Sequence, residues 1–226
     1  MKRLMAAIAA ASIAAPLYAQ EVSVAPLSAT VAPDNAFEVT LGAGYAQGFG
    51  DLGAGQQSLT DLASAGGELQ LGLGWRINPR FMVGVYGTGS SYATRTATSG
   101  ANIWTATAGV QGNYHFLPMN EWDPWIGLSS GWRGMWISNG GTDSRNGLDF
   151  ARLTAGVDYR VSSQFAVSPY ASVGLTAFLT QQLAGQNGFS NVRSPDVNVW
   201  LAAGIQGRFD MFEGGSSQGT RVASND

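Results

Sequence analysis

The sequence predicts an all-β protein, an eight-stranded antiparallel up-and-down transmembrane β-barrel, on three observations. Eight stretches alternate apolar and polar residues with a period of two, so each would be a strand with one oily and one wet face. Their connections run long, short, long, short, long, short, long, the rhythm of a meander with loops on one side of a membrane and tight turns on the other. Charged residues are 12% of the chain, about half the ~25% usual in soluble domains, yet no segment beyond the N-terminus approaches the ~20 apolar residues of a spanning helix.

Each element has its own warrant. Residues 1–19 begin with Lys2 and Arg3, continue through an Ala/Ile-rich run from Leu4 to Ala15 and reach Leu17-Tyr18-Ala19. That is the three-part layout of a secretory signal, with cleavage expected after Ala19. A Pro-containing periplasmic leader is expected over 20–35, the barrel over 36–212 and a Gly/Ser-rich disordered tail over 213–226. Without the signal, ten arginines and no lysine face 15 acids, which argues against a nucleic-acid partner. With no cysteine there is neither a disulfide framework nor a thiolate site.

Strand one is expected over 37–47, where Phe37, Val39, Leu41, Ala43 and Tyr45 alternate with Glu38, Thr40, Gly42 and Gly44. A Gly/Ser/Gln-rich loop over 48–66 leads to strand two over 67–77, with Leu69, Leu71, Leu73 and Trp75 on its oily face. Asn78-Pro79-Arg80 is a tight turn into strand three over 81–88, led by Phe81. Strand four, over 102–116, places Trp104, Ala106, Ala108, Val110, Tyr114 and Phe116 together. Strand five, over 124–137, aligns Ile126, Leu128, Trp132 and Trp136, and a third long loop is expected over 138–146. In strand six, over 148–161, Ala151, Leu153, Ala155, Val157 and Tyr159 oppose Arg152, Asp158 and Arg160. Strand seven, over 165–179, starts at Phe165 and contains Pro169, which lacks an N–H and should disturb the ladder there. Strand eight, over 196–211, sets Val197, Val199, Leu201, Ala203, Ile205 and Phe209 against Asp196, Gln206, Arg208 and Asp210.

The polar face decides which side meets lipid. Charged side chains turned to lipid would cost roughly 2–4 kcal/mol each near the midplane, whereas opposite charges inside a narrow barrel neutralise one another. The oily faces are therefore expected outside. Glu38, Arg76, Asp158, Arg160, Arg208 and Asp210 would form one ionic tier at the periplasmic end, and Glu68, Arg133, Arg152 and Asp196 a second nearer the outside. Both tiers read as scaffolding. With alternating strand directions, Phe37, Trp75, Phe81, Phe116, Tyr159, Phe165 and Phe209 fall at one membrane interface and Tyr45, Trp104 and Trp136 near the other.

These segments resemble the small eight-stranded outer-membrane barrels of the OmpA, OmpX and OmpW type, grouped with opacity-type surface antigens. Asp123-Pro124-Trp125-Ile126-Gly127-Leu128 is similar to the start of a middle strand there, and Ala203-Gly204-Ile205-Gln206-Gly207-Arg208-Phe209 to an aromatic-ending final strand. The resemblance implies assembly by periplasmic chaperones and the barrel assembly machinery, and contact with outer-membrane lipid and lipopolysaccharide. It implies no cofactor. His115, the single histidine, would lie at the periplasmic end of strand four, the wrong height for work on outer-leaflet lipid, and reads as a turn-proximal lumen residue without a catalytic or metal role. The expected role is structural or surface-exposed, antigen- or adhesin-like, in the bacterial outer membrane. A narrow solute channel is the second reading and a lipid-A-modifying enzyme the third. Four long loops are expected to be solvated, with no named ligand.

Overall fold

The computed structural model describes residues 32–53, 57–94 and 100–213. The expected signal peptide, most of the leader and the tail from residue 214 lie outside the described residues. The chain folds as β1 (Ala36–Phe49), α1 (Leu59–Leu62), β2 (Ala63–Asn78), β3 (Phe81–Thr94), β4 (Asn102–His115), β5 (Trp122–Ser138), β6 (Thr142–Arg160), β7 (Phe165–Gln182), β8 (Ser190–Asn191) and β9 (Val197–Glu213). Eight of the strands close into a barrel: each of β1 to β7 pairs antiparallel with the next, and β9 lies between β7 and β1. Closure satisfies the backbone groups that an open edge would leave bare, a necessity where no water can reach them. The two residues of β8 only extend β7 on the loop side.

Short turns over 79–80, 116–121 and 161–164 mark the lower end, and the connections over 50–62, 95–101, 139–141 and 183–196 the upper. The third upper connection departs from expectation. Instead of a loop over 138–146, β5 and β6 stay paired to Ser138 and Thr142, leaving a three-residue turn with Gly140 at φ 70°. Polar Thr142-Asp143-Ser144 reads as loop by composition but tolerates the strand because the ladder satisfies its backbone. The first upper connection is shorter too. Ser58 caps α1, its side chain accepting from the Thr60 N–H, and Leu52, Leu59 and Leu62 turn back into the barrel mouth, 1–3% exposed. This segment is not the solvated loop its composition suggests.

Two of the wall's irregularities bear on the lumen, and one of them changes the phase of a strand. Between Ser129/Gly131 and Asp149/Ala151 the register shifts on both sides of β6, the mark of a bulge. At Pro169 the pairing with β9 stays continuous, while on the β6 side the pairs Gly156 with Tyr170 and Tyr159 with Val167 flank a two-residue gap. The missing proline N–H thus costs local pairing without moving the register.

Candidate functional site: the barrel interior

The alternation resolves into an apolar exterior and a polar interior. Leu41, Leu69, Leu71, Val110, Leu128, Leu153, Leu201 and Ile205 are 45–68% exposed, a contiguous oily belt that a water-soluble domain would bury. Tyr45, Trp75, Phe81, Trp104, Phe116 and Tyr159 are exposed on the same surface, with Phe37, Trp136, Phe165 and Phe209 half-buried. Phe37 pairs with Trp75 and Phe165 packs on Phe209 at 4.9 Å between ring centroids, all near the lower end. Near the upper end Trp104 stacks on Trp136 at 4.0 Å.

At the bottom of the lumen six strands contribute to one ionic lattice. Glu38 accepts from Arg76 Nη2 at 2.6 Å and from Arg208 Nη1 at 2.7 Å, so a single carboxylate ties β2 and β9 to β1. Arg160 donates to Asp210 at 3.0 Å, Arg76 Nε lies 3.5 Å from the same carboxyl, and Arg208 Nε lies 3.0 Å from Asp158. All six of these groups are at most 4% exposed. Trp125 covers the lattice, its ring 5.1 Å from the Arg208 guanidinium and its indole N–H donated to Ser168.

His115 and Asp123 complete this lower tier. The ring lies between Asp123 Oδ2, 2.7 Å from Nδ1, and Arg208 Nη1, 3.1 Å from Nε2. A guanidinium only donates, so Nε2 accepts and the proton sits on Nδ1, donated to Asp123. His115, Asp123 and Asp158 bring ligand-type atoms within 4.8 Å of one another, but the guanidinium beside both His115 and Asp158 opposes a cation there. Asp123 also accepts from the Leu117 N–H at 2.9 Å and so fixes the turn below.

Above this tier lies a neutral band of Thr40, Gln70, Gln111, Asn113, Thr154 and Gln206 around a cavity of about 20 Å³, room for roughly one water. Gly72 makes the band possible, since a Cβ there would collide with Thr40 Oγ1. The upper tier then gathers on Asp149. Its carboxylate accepts from Arg133 and Arg152, each at 3.2 Å, and from Thr176 at 2.9 Å. Glu68 accepts from Ser90 at 3.0 Å, and the Arg133 guanidinium lies 4.3 Å over Trp200.

The upper tier corrects one sequence assignment and adds a residue that the alternation does not reveal. Asp196 is exposed and precedes β9; it is a loop residue and not part of the lumen, because β9 begins one residue later and its side chain is free to meet water. Asp149 takes the hub position instead. In phase with Ala151 and Leu153 it would face lipid, but the bulge at 149–151 turns it inward while Leu148 and Phe150 stay outside. The signal was a carboxylate between two large apolar residues, out of step with the strand that follows.

The upper end of the cylinder is covered. At the top, Leu52, Leu59, Leu62, Tyr92, Ile103, Met135, Phe178, Val192 and Trp200 form an apolar cap. At the bottom, Ala32 donates its N–H to the Pro118 carbonyl and is buried, and Asn35 accepts from the Trp75 indole at 2.9 Å.

A closed eight-strand meander, oily without and ionic within, defines a small integral β-barrel of the bacterial outer membrane. No protein-family model and no curated protein matches the chain. Among solved structures it is similar to Neisserial surface protein A, with 16% identity over 77% of this chain and 97% of that one and a TM-score of 0.54. It is also similar to the outer membrane protein OprG from Pseudomonas aeruginosa, with 12% identity over 80% and 98% of the two chains and a TM-score of 0.51. At these identities the likeness concerns the fold.

Proposed function

We propose that this barrel is a sealed envelope protein with a structural or surface-exposed role, and neither a pore nor an enzyme. One observation carries the reading: along the axis the described lumen passes from an ionic lattice to a band with space for about one water, to a second ionic tier, to an apolar cap. Eight strands enclose an interior that side chains nearly fill, and here they fill it with paired charges. The lower end is the periplasmic one, its aromatics and those of the upper end lying at headgroup level against lipid and lipopolysaccharide. Periplasmic chaperones and the barrel assembly machinery deliver and insert the chain. His115 has both ring nitrogens engaged with Asp123 and Arg208, which suits a lattice member better than a general base. Purified protein in planar bilayers is expected to give no stable conductance. Steady single-channel steps would replace this reading with the narrow-channel one.

A further inference from the structure

The upper mouth holds a second polar cluster that the lattice does not use. Above the apolar cap, a cup of about 550 Å³ lies between Leu52, Gln57 and Leu62, the β5–β6 turn and the end of β7, within the ~300–1,000 Å³ range of small-ligand sites. Its aliphatic surface comes from the half-buried Ile137 and Leu183, which lie over the buried Leu52 and Leu62. Its walls carry the amides of Gln57, Asn139 and Gln181, the carboxylate of Asp143 and the guanidinium of Arg145. Asp143 is held in place, since its Oδ1 accepts the Ala184 N–H at 2.7 Å, and Gln181 Oε1 is buried without a hydrogen-bond partner.

We propose that this cup binds an uncharged saccharide; the inference rests on the surface-exposed reading above and names its ligand class. Sugar rings present an apolar C–H face and hydroxyls that both donate and accept. The side chains of Ile137 and Leu183 meet the first requirement. Three amides supply both donors and acceptors, and the carboxylate accepts. One carboxylate and one guanidinium balance each other among the described lining residues, which gives a sulfated or sialylated polyanion no net attraction. An acyl chain would leave the wall groups without partners. An added peptide strand finds no edge, because β5 to β7 are paired to their tips through Ser138 with Thr142 and Ser144 with Gln182.

The test uses the full mature chain in lipid nanodiscs on a printed array of neutral hexose and N-acetylhexosamine oligosaccharides beside sulfated and sialylated ones. Retention on neutral glycans is expected. Asp143→Asn and Gln181→Ala should each weaken it about tenfold, the size of losing one good hydrogen bond to a charged or buried group, while detergent-resistant gel migration stays unchanged. Asn139→Ala serves as the second variant if either fails to fold. Retention only on sulfated or sialylated glycans, no retention at all, or retention that folded variants leave unaltered overturns the proposal. Labelling of Asn139→Cys on intact cells with a membrane-impermeant maleimide separates the two readings: labelled cells without glycan retention sink only the saccharide, and unlabelled cells sink the surface role.

Discussion

The lower and upper ionic tiers solve the same problem, charge inside a dry cylinder, by different means. The lower one is distributed: Glu38, Asp123, Asp158 and Asp210 interleave with Arg76, Arg160, Arg208 and His115 on six strands. It also crosses the seam where the first strand meets the last, through the Glu38–Arg208 bond that spans 170 residues of sequence. The upper tier is a hub, with Asp149 on a bulge receiving Arg133, Arg152 and Thr176. Chain closure therefore depends on the lower tier, and the shape of the mouth on the upper one.

The sharpest way to break that distinction is Glu38→Ala, which leaves two buried guanidinium groups without their shared carboxylate. A loss of about 3–5 kcal/mol is expected, the scale for orphaning a buried charge, read as a lower urea midpoint of the protein refolded in lipid vesicles. Glu38→Gln should recover little of it, since shape without charge leaves Arg76 and Arg208 only their longer contacts with Asp210 and Asp158. Asp149→Asn should cost less, about 2–3 kcal/mol, because the asparagine carbonyl still accepts from Thr176; hydrogen exchange should rise near the bulge and not at the seam. Equal losses at both sites, with exchange rising at the seam in both, would erase the difference between hub and lattice. The smallest effect is expected from Leu59→Ala in the cap, about 2 kcal/mol, since the helical turn that carries it can settle into the space left behind.

The contrast also explains what could be read without coordinates. Wall alternation is dictated by lipid on one side and neutralised charge on the other, so Leu71, Leu153, Leu201 and their inward neighbours declare themselves in the sequence. The lower-tier members Glu38, Arg76, Asp158, Arg160, Arg208 and Asp210 sit in stretches where the alternation keeps its phase, so period two gives both face and height. Asp149 was hidden because one extra residue inverts the phase locally, and Asp196 was misplaced because a strand end is set by where pairing stops, not by residue type. The cap was invisible for a related reason. Ile103, Phe178 and Trp200 face inward near the upper rim, in the phase of polar residues lower down, and only the folded-back Leu52, Leu59 and Leu62 make an apolar interior favourable there. Asp123 and His115 likewise gain their meaning from each other across β4 and β5, a proximity that no local spacing encodes.

Both tiers presuppose that lipid touches the oily side of the wall. The chain has no cysteine, so Leu71→Cys, Leu153→Cys and Leu201→Cys each offer a single attachment point for a nitroxide in the refolded, bilayer-embedded protein. Electron paramagnetic resonance should show strong collision with oxygen dissolved in the bilayer and weak collision with a water-soluble nickel chelate at all three positions. Dominant collision with the nickel chelate, or immobilised labels reached by neither reagent, would contradict an oily face turned to lipid.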